Sequence, residues 1–125
     1  MSISVLGYIA DLMKSIGIPY EFMRWNSGIP PDGYFVGEYI EVPSMTREEN
    51  GFQETTFILR GFTKETWLVL EQAKEKIEKN IPKTAILVDG TGVAVFYESA
   101  TVVPTNDADL KSIKINLKIQ EWKVN

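Results

Sequence analysis

The first helix is indicated by five apolar residues that share one face at helical spacing: Val5, Ile9, Leu12, Met13 and Ile16. Ser2 or Ser4 can cap its N-terminus, and Gly17 and Pro19 end it. Because a short isolated helix is unstable in water, this apolar stripe is expected to dock on a sheet or on a neighbouring subunit.

A strand is predicted for residues 34–42. It follows an extended segment (18–22) and a Pro/Gly loop (25–33), and Pro43 ends it because proline has no N–H to donate to a neighbouring strand. Its expected buried face, interrupted only by Glu38, consists of Tyr34, Val36, Ile40 and Val42.

A second strand (52–60) is predicted to return along the first. The polar loop between them (44–51) is longer than a tight hairpin turn and carries Arg47, Glu48 and Glu49. Antiparallel pairing of the two strands is the simplest topology.

A second helix is predicted from Thr63, as the N-cap, to about Asn80, with Glu65 in the first turn, where the helix dipole favours an acid. Its expected buried stripe is Trp67, Leu70, Ala73 or Lys74, and Ile77. The charged residues of this segment indicate a solvated outer face: Glu71, Lys74, Glu75, Glu78 and Lys79.

The last third of the chain is rich in strand patterns. Pro82 ends the helix, and residues 84–88 and 93–103 form a hairpin, while residues 104–109 form the next turn. The final strand has the clearest alternation, with Ile113, Ile115, Leu117 and Ile119 on its apolar face. The opposite face, which is solvated or contacts a partner, carries Ser112, Lys114, Asn116, Lys118 and Gln120.

This order of elements predicts an α+β fold, with a mostly antiparallel sheet of four to five strands packed against two helices. The strands and helices do not alternate regularly, which disfavours a parallel sheet. The 125 residues are the usual size of one domain, so a single domain (1–125) is expected.

The chain contains neither histidine nor cysteine. This excludes histidine-based catalytic triads, cysteine nucleophiles, disulfides and the usual zinc sites within the chain. Only carboxylates, lysines or tyrosines could perform acid–base chemistry. We therefore expect no enzymatic activity, no catalytic or metal site and no cofactor.

The formal net charge is −4, with 17 acidic and 13 basic residues and no two adjacent basic residues. A phosphate-binding stripe is missing from the sequence, so sequence-specific nucleic-acid binding is not expected. No apolar run approaches the roughly 20 residues of a membrane span, and the first residues lack the pattern of a signal peptide. A soluble protein made in the cytoplasm, without membrane contact, is expected.

Three short segments allow a chemical alternative. Residues 89–92 (DGTG) favour a hairpin turn over a phosphate loop, because no Gly-Lys-Ser/Thr and no helix follow. Asn106, Asp107 and Asp109 offer oxygen ligands for calcium, but they lack EF-hand spacing, so an acidic surface turn is the simpler interpretation. Four residues could stack on a base, although core packing or a protein interface suits an acidic chain better: Tyr20, Phe22, Arg24 and Trp25.

The layout as a whole resembles the small tail-terminator, or head–tail joining, proteins of long-tailed bacteriophages and prophages. The resemblance is carried by the N-terminal helix (SVLGYIADLMKSIGIP), the strand–loop–strand unit (YFVGEYIEVPSMTREENGFQETTFILRGF), the next helix (TKETWLVLEQAKEKIEKNI) and the final strand (KSIKINLKIQEW). It spans most of the chain and rests on the length and order of the elements.

The resemblance implies a minor virion protein that assembles in the host cytoplasm and closes into a ring, typically of six copies, at the end of the tail tube. Its implied partners are copies of itself, the tail tube protein and the head-completion protein. Such a ring needs two complementary patches on each subunit. Besides the first helix, the candidate interface residues are Met45, Arg47, Glu48, Glu49, Lys114, Asn116 and Lys118.

Six copies at −4 each would give the ring a charge of −24, and acidic side chains facing its lumen would let DNA pass without binding. The alternative function is a small homo-oligomeric ligand-binding or regulatory domain. A mass measurement separates the two, because a ring of this kind has about six times the mass of one chain.

Overall fold

The computed structural model describes residues 1–41 and 53–123. Within these ranges it contains two helices and six strands, in the order α1 (Ile3–Ser15), β1 (Tyr20–Phe22), β2 (Tyr34–Glu41), β3 (Gln53–Thr63), α2 (Trp67–Asn80), β4 (Lys83–Ile86), β5 (Thr91–Val103) and β6 (Lys111–Lys123). Neither of these helices is long and apolar enough to cross a membrane.

The described strands form one sheet in the spatial order β1-β2-β3-β6-β5-β4. β1 runs parallel to β2, with Tyr20 opposite Phe35, and the other neighbouring pairs in this sheet are antiparallel. The α+β class and the antiparallel pairing of β2 with β3 are confirmed. The expected four to five antiparallel strands are corrected to six described strands with one parallel pair, because the extended segment after α1 joins the sheet as an edge strand.

The hydrophobic core lies between one face of the sheet and both helices. From the predicted stripe of α1, the buried residues are Val5, Ile9, Leu12 and Met13. Ile16 follows the helix as its C-cap and is half-buried. The sheet contributes Phe35, Phe57, Leu59, Val93, Val95, Ile113, Ile115, Leu117 and Ile119. These nine are half of the 18 described residues of the buried core, and burial of each large side chain contributes about 1.5–3 kcal/mol.

The buried face of β2 is the opposite of the predicted one. Phe35 and Gly37 are buried, whereas Ile40 is 64% exposed. Tyr34 and Val36 are half-buried on the far side of the sheet, and Val42 lies outside the described residues. The predicted face was wrong because glycine occupies the second buried position of β2. The buried face therefore shows no apolar alternation in the sequence.

The start of α2 also differs from the prediction. Thr63 is the last residue of β3, opposite Lys111, and the N-cap of α2 is Thr66. The strand runs three residues past its predicted end because β6 continues to pair with it. Of the predicted stripe, Leu70, Ala73 and Ile77 are buried, whereas Lys74 is half-buried and Trp67 is 38% exposed.

The hairpin between β4 and β5 and the alternation of β6 are confirmed. The Leu87 N–H donates to the Thr91 carbonyl at 2.7 Å, and Gly90 takes a φ of 85° in the turn. On the solvated side of β6, Ser112 is an exception, because it is only 3% exposed between Phe62 and Val103 of the neighbouring strands.

Candidate interaction surfaces

The face of the sheet opposite the helices, called the open face below, is covered by neither α1 nor α2. Leu117 of β6 is buried in the core opposite Phe57, so Asn116 and Lys118 project from the other side. Lys114 lies on the same side, two positions along. Three of the predicted interface residues therefore form one row on a central strand.

Two ion pairs lie on the open face. Arg60 donates through Nε to Glu38 Oε1 at 2.6 Å, and Lys118 Nζ lies 3.9 Å from Glu54 Oε1. All four side chains are partly exposed to water, which screens their attraction. These pairs order the side chains and add little to stability, so their charges can be used in contacts with another protein.

Lys114 has no ion pair among the described residues. It lies directly opposite Arg60 on β3, and two like charges in this position repel each other. Its neighbour Asn116 is held by a hydrogen bond from Nδ2 to Ser99 Oγ at 3.0 Å. A partner carboxylate at Lys114 would relieve the repulsion, which makes this lysine the strongest candidate contact on the open face.

Apolar side chains surround the charged row on the open face. Ile40 on β2 is 64% exposed and Phe96 on β5 is 37% exposed. Near the far end of β2 and β3, the rings of Tyr34 and Phe62 stack with centroids 5.2 Å apart. A mixture of accessible apolar surface and ordered charges is typical of protein interfaces.

The other four predicted interface residues, Met45, Arg47, Glu48 and Glu49, lie outside the described residues. Glu41 and Gln53, which flank this segment, lie at one end of the neighbouring strands β2 and β3. The amino group of Met1 pairs with Glu41 at the same end. Three of the seven predicted residues therefore lie on the open face, and four lie outside the described residues.

A groove at the opposite end of the sheet was not anticipated from the sequence. It encloses about 490 Å³. Asp32 connects two of its segments through hydrogen bonds. The Thr63 hydroxyl donates to the Asp32 carboxylate at 2.6 Å, and the Lys64 N–H donates to the same carboxylate at 3.0 Å. The Thr63 hydroxyl is the main cause of an Asp32 pKa below its ordinary value. The only sequence signal was the turn pattern PPDG, since the lining comes from three separate segments: Pro30, Asp32, Tyr34, Phe62, Lys64 and Leu110.

The aromatic residues around Arg24 do not form one stacking platform. Phe22 lies on the helix side of the sheet, where its ring stacks 6.0 Å from Tyr39 and 6.5 Å from Phe57. Trp25 instead packs edge-on against Tyr34, 5.7 Å away. Phe22 and Trp25 therefore pack against other aromatic side chains, although neither belongs to the buried core.

The acidic segment 104–109 is a turn held by its own hydrogen bonds. Asp107 accepts from the Asp109 N–H at 2.9 Å, and the Thr105 hydroxyl donates to the carbonyls of Asp107 and Leu110. Within residues 1–41 and 53–123, no three His, Cys, Asp or Glu side chains are grouped as metal ligands would be.

Comparison with known proteins gives a likeness in fold. No family model matches the chain, and no curated protein has a matching sequence. Among solved structures, a chain of the virion of the native gene transfer agent (GTA) particle matches with a TM-score of 0.67 and 14% sequence identity. The match covers 96% of this chain and 98% of that chain. At this level of identity the likeness concerns the fold.

Proposed function

We propose that the chain is a structural subunit of a phage-like virion. The observation that supports this most directly is the extent of the fold likeness, because nearly the whole of this chain and of a GTA virion chain superimpose. The match covers 96% of this chain and 98% of that chain, so the likeness concerns nearly the whole fold and not one motif within it. The proposed location is the virion, after assembly in the host cytoplasm.

Within this class, the finer proposal is a tail terminator that forms a ring, caps the tail tube and docks to the head. A heterologous ring needs two different patches on each subunit, in addition to surfaces above and below. The chain offers the open face with Lys114 and the sheet end at Glu41 and Gln53 as two candidate patches, and the groove at Asp32 adjoins the open face at Tyr34 and Phe62. The proposed partners are further copies of the chain, the tail tube protein and the head-completion protein.

A gene deletion with complementation tests the virion role. In the cell that encodes the chain, deletion is expected to leave heads and tails that do not join, with tails of irregular length visible by electron microscopy. Complementation with the intact gene should restore joined particles that contain the chain, measured by mass spectrometry of purified particles. Normal particles in the deletion strain, or particles that lack the chain after complementation, would refute the proposal.

Ligand binding is the second candidate function, and the groove of about 490 Å³ favours it because small-molecule sites have volumes of this order. Native mass spectrometry separates the two functions in one measurement. A ring gives a species of about six times 14.2 kDa, alone or with the tail tube protein. A dimer or monomer that retains a small molecule would instead support the ligand-binding domain.

A further inference from the structure

One edge of the sheet is left partly open by the short strand β4. β4 pairs with β5 only along residues 92–95, whereas β6 pairs with β5 as far as Val103. On the side away from β6, residues 96–103 therefore have no partner strand among the described residues. Such an edge presents unpaired N–H and C=O groups that an additional strand can bind.

The hydrogen-bond alternation identifies the backbone groups that face this open edge. Because the Thr91 carbonyl accepts from Leu87, the groups of Thr91, Val93 and Val95 point towards β4. The bulge between Tyr97 and Ser99 shifts the alternation by one residue. Beyond it, the groups of Ala100 and Val102 point to the open edge, while those of Thr101 bond to β6.

Two features limit the accessible stretch to residues 99–103. The bulge, with the charged Glu98, lies before it, and Pro104, which lacks an N–H, lies after it. Between these limits the sequence SATVV contains no charge and no proline. The other described edges are better protected, because β1 has three residues and β4 begins with Lys83 directly after Pro82.

We propose that residues 99–103 of two copies of this chain pair in antiparallel register across a two-fold axis at Thr101. This register places Thr101 opposite the partner's Thr101, and Ala100 opposite the partner's Val102. The two Ala100–Val102 pairs then exchange roughly four backbone hydrogen bonds. Thr101 is the centre of the accessible stretch. A register shifted in either direction would place the bulge or Pro104 among the paired residues, which disfavours it.

The side chains in this register complement each other. Val102 is 55% exposed on the helix side of the sheet and would be covered by Ala100 of the second copy. On the open face, two threonines would meet, a favourable cross-strand pair. No like charges come together, since Glu98 and Lys111 lie outside the paired residues. The dimer goes beyond the proposed virion role and does not rest on it.

Single-cysteine cross-linking tests this register, because the chain has no cysteine of its own. Thr101 of the two copies would form a non-hydrogen-bonded pair with Cβ atoms about 4.5–5.5 Å apart, close enough for a disulfide after a small adjustment. Thr101→Cys is expected to give a disulfide-linked dimer on a non-reducing gel after mild oxidation. Thr84→Cys, which is exposed on the β4 edge, is the matched control and should not form a disulfide-linked dimer on the same gel. Absence of the Thr101→Cys dimer, or equal cross-linking of both variants, would overturn the proposal.

A second pair of variants tests the backbone contact. Val102→Pro removes the N–H that faces the edge but keeps the pairing of β5 with β6, whereas Val102→Thr keeps that N–H. In the absence of other virion proteins, sedimentation of the full chain should give about twice 14.2 kDa for the wild type and for Val102→Thr. Val102→Pro should raise the dimer dissociation constant roughly tenfold or more, because two hydrogen bonds are lost per dimer. A wild-type monomer, or a Val102→Pro dimer as tight as the wild-type dimer, would contradict the proposal. A six-copy species that shows no Thr101→Cys cross-link would also contradict it, because the copies would then contact each other through another surface.

Discussion

At the scale of single residues, three glycines of the sheet lie beneath aromatic rings. The Phe35 ring fills the space that a Cβ at Gly61 would need, and the Trp122 ring does the same at Gly92. Gly37 is covered in the same way by Phe57. Because glycine has no Cβ, each ring can lie directly against the backbone of the neighbouring strand.

Gly61→Ala is expected to destabilise the protein by about 1–3 kcal/mol, because the added methyl group displaces the buried Phe35 ring. Gly7→Ala is the matched control, since Gly7 is exposed on α1 and has nothing within 4 Å of the added methyl group. That change should stabilise α1 by roughly 0.5–1 kcal/mol. Urea denaturation measures both values, and equal effects of the two variants would mean that the ring does not lie over Gly61.

Asp32 gives a pH-dependent contribution to stability. Its folded-state pKa is lowered from 3.8, mainly by the Thr63 hydroxyl. A lowered pKa means that the stabilisation is present above the unfolded pKa and is lost as the pH falls through the folded value. The stability difference between wild type and Asp32→Asn should therefore shrink as the pH is lowered from about 6 to about 3. Thermal melts across this range check it, and a difference that grows in acid would have the wrong sign.

At the scale of elements, the orientation of β2 is decided by its neighbours. Phe35 is fully buried over Gly61 on β3, whereas the apolar residues on the other face of β2 are half-buried or exposed. Shifting a strand by one residue exchanges its two faces, so both orientations are consistent with the local pattern. The sequence alternation alone favoured Tyr34 and Val36, which are half-buried on the open face.

Phe35→Ala is expected to lower the free energy of unfolding by about 3–5 kcal/mol, because the ring is fully buried in the core. Val36→Ala, one position along, should cost no more than about 1 kcal/mol, since that side chain is only half-buried. Chemical denaturation of both variants compares the two faces of β2 directly. A larger loss for Val36→Ala would restore the orientation predicted from the sequence.

At the scale of the whole molecule, the two sides of the sheet serve different purposes. One side holds the core and both helices, and the open face combines the charged row with exposed apolar side chains. Lys114 has no ion pair among the described residues and lies opposite Arg60, which pairs with Glu38, although the chain as a whole has a net charge of −4. The unpaired charge of Lys114 favours an acidic partner surface on the open face.

Lys114→Glu is expected to impair assembly of the particle without lowering the stability of the folded chain. Opposite Arg60 the new carboxylate makes a favourable cross-strand pair, so stability should be unchanged or rise by about 0.2–1 kcal/mol. In the complementation assay, the yield of joined particles should fall roughly tenfold or more, because the proposed contact would become repulsive. Lys76→Glu, on the exposed side of α2, is the control and should complement fully. Full complementation by Lys114→Glu would remove the open face from the proposed contacts.

Much of the fold could be predicted from the sequence, namely those elements whose pattern of residues lies within the element itself. α1, the hairpin at Gly90 and the alternation of β6 depend on helical spacing, turn residues and strand alternation, which act within a few positions. For the same reason, Lys114 and Lys118 could be assigned to the solvated face of β6. The absence of histidine and cysteine likewise restricts the chemistry of this chain without any reference to its fold.

Only the tertiary structure decided what depends on residues far apart in the chain. The parallel position of β1, the buried face of β2 and the end of β3 at Thr63 are each determined by a neighbouring strand. The groove at Asp32 also depends on the order of the strands, which brings its lining segments together. The same order leaves part of the β5 edge without a partner strand among the described residues. The physical reason is that local preferences differ by about 1 kcal/mol or less, whereas burial of one aromatic ring contributes more than that.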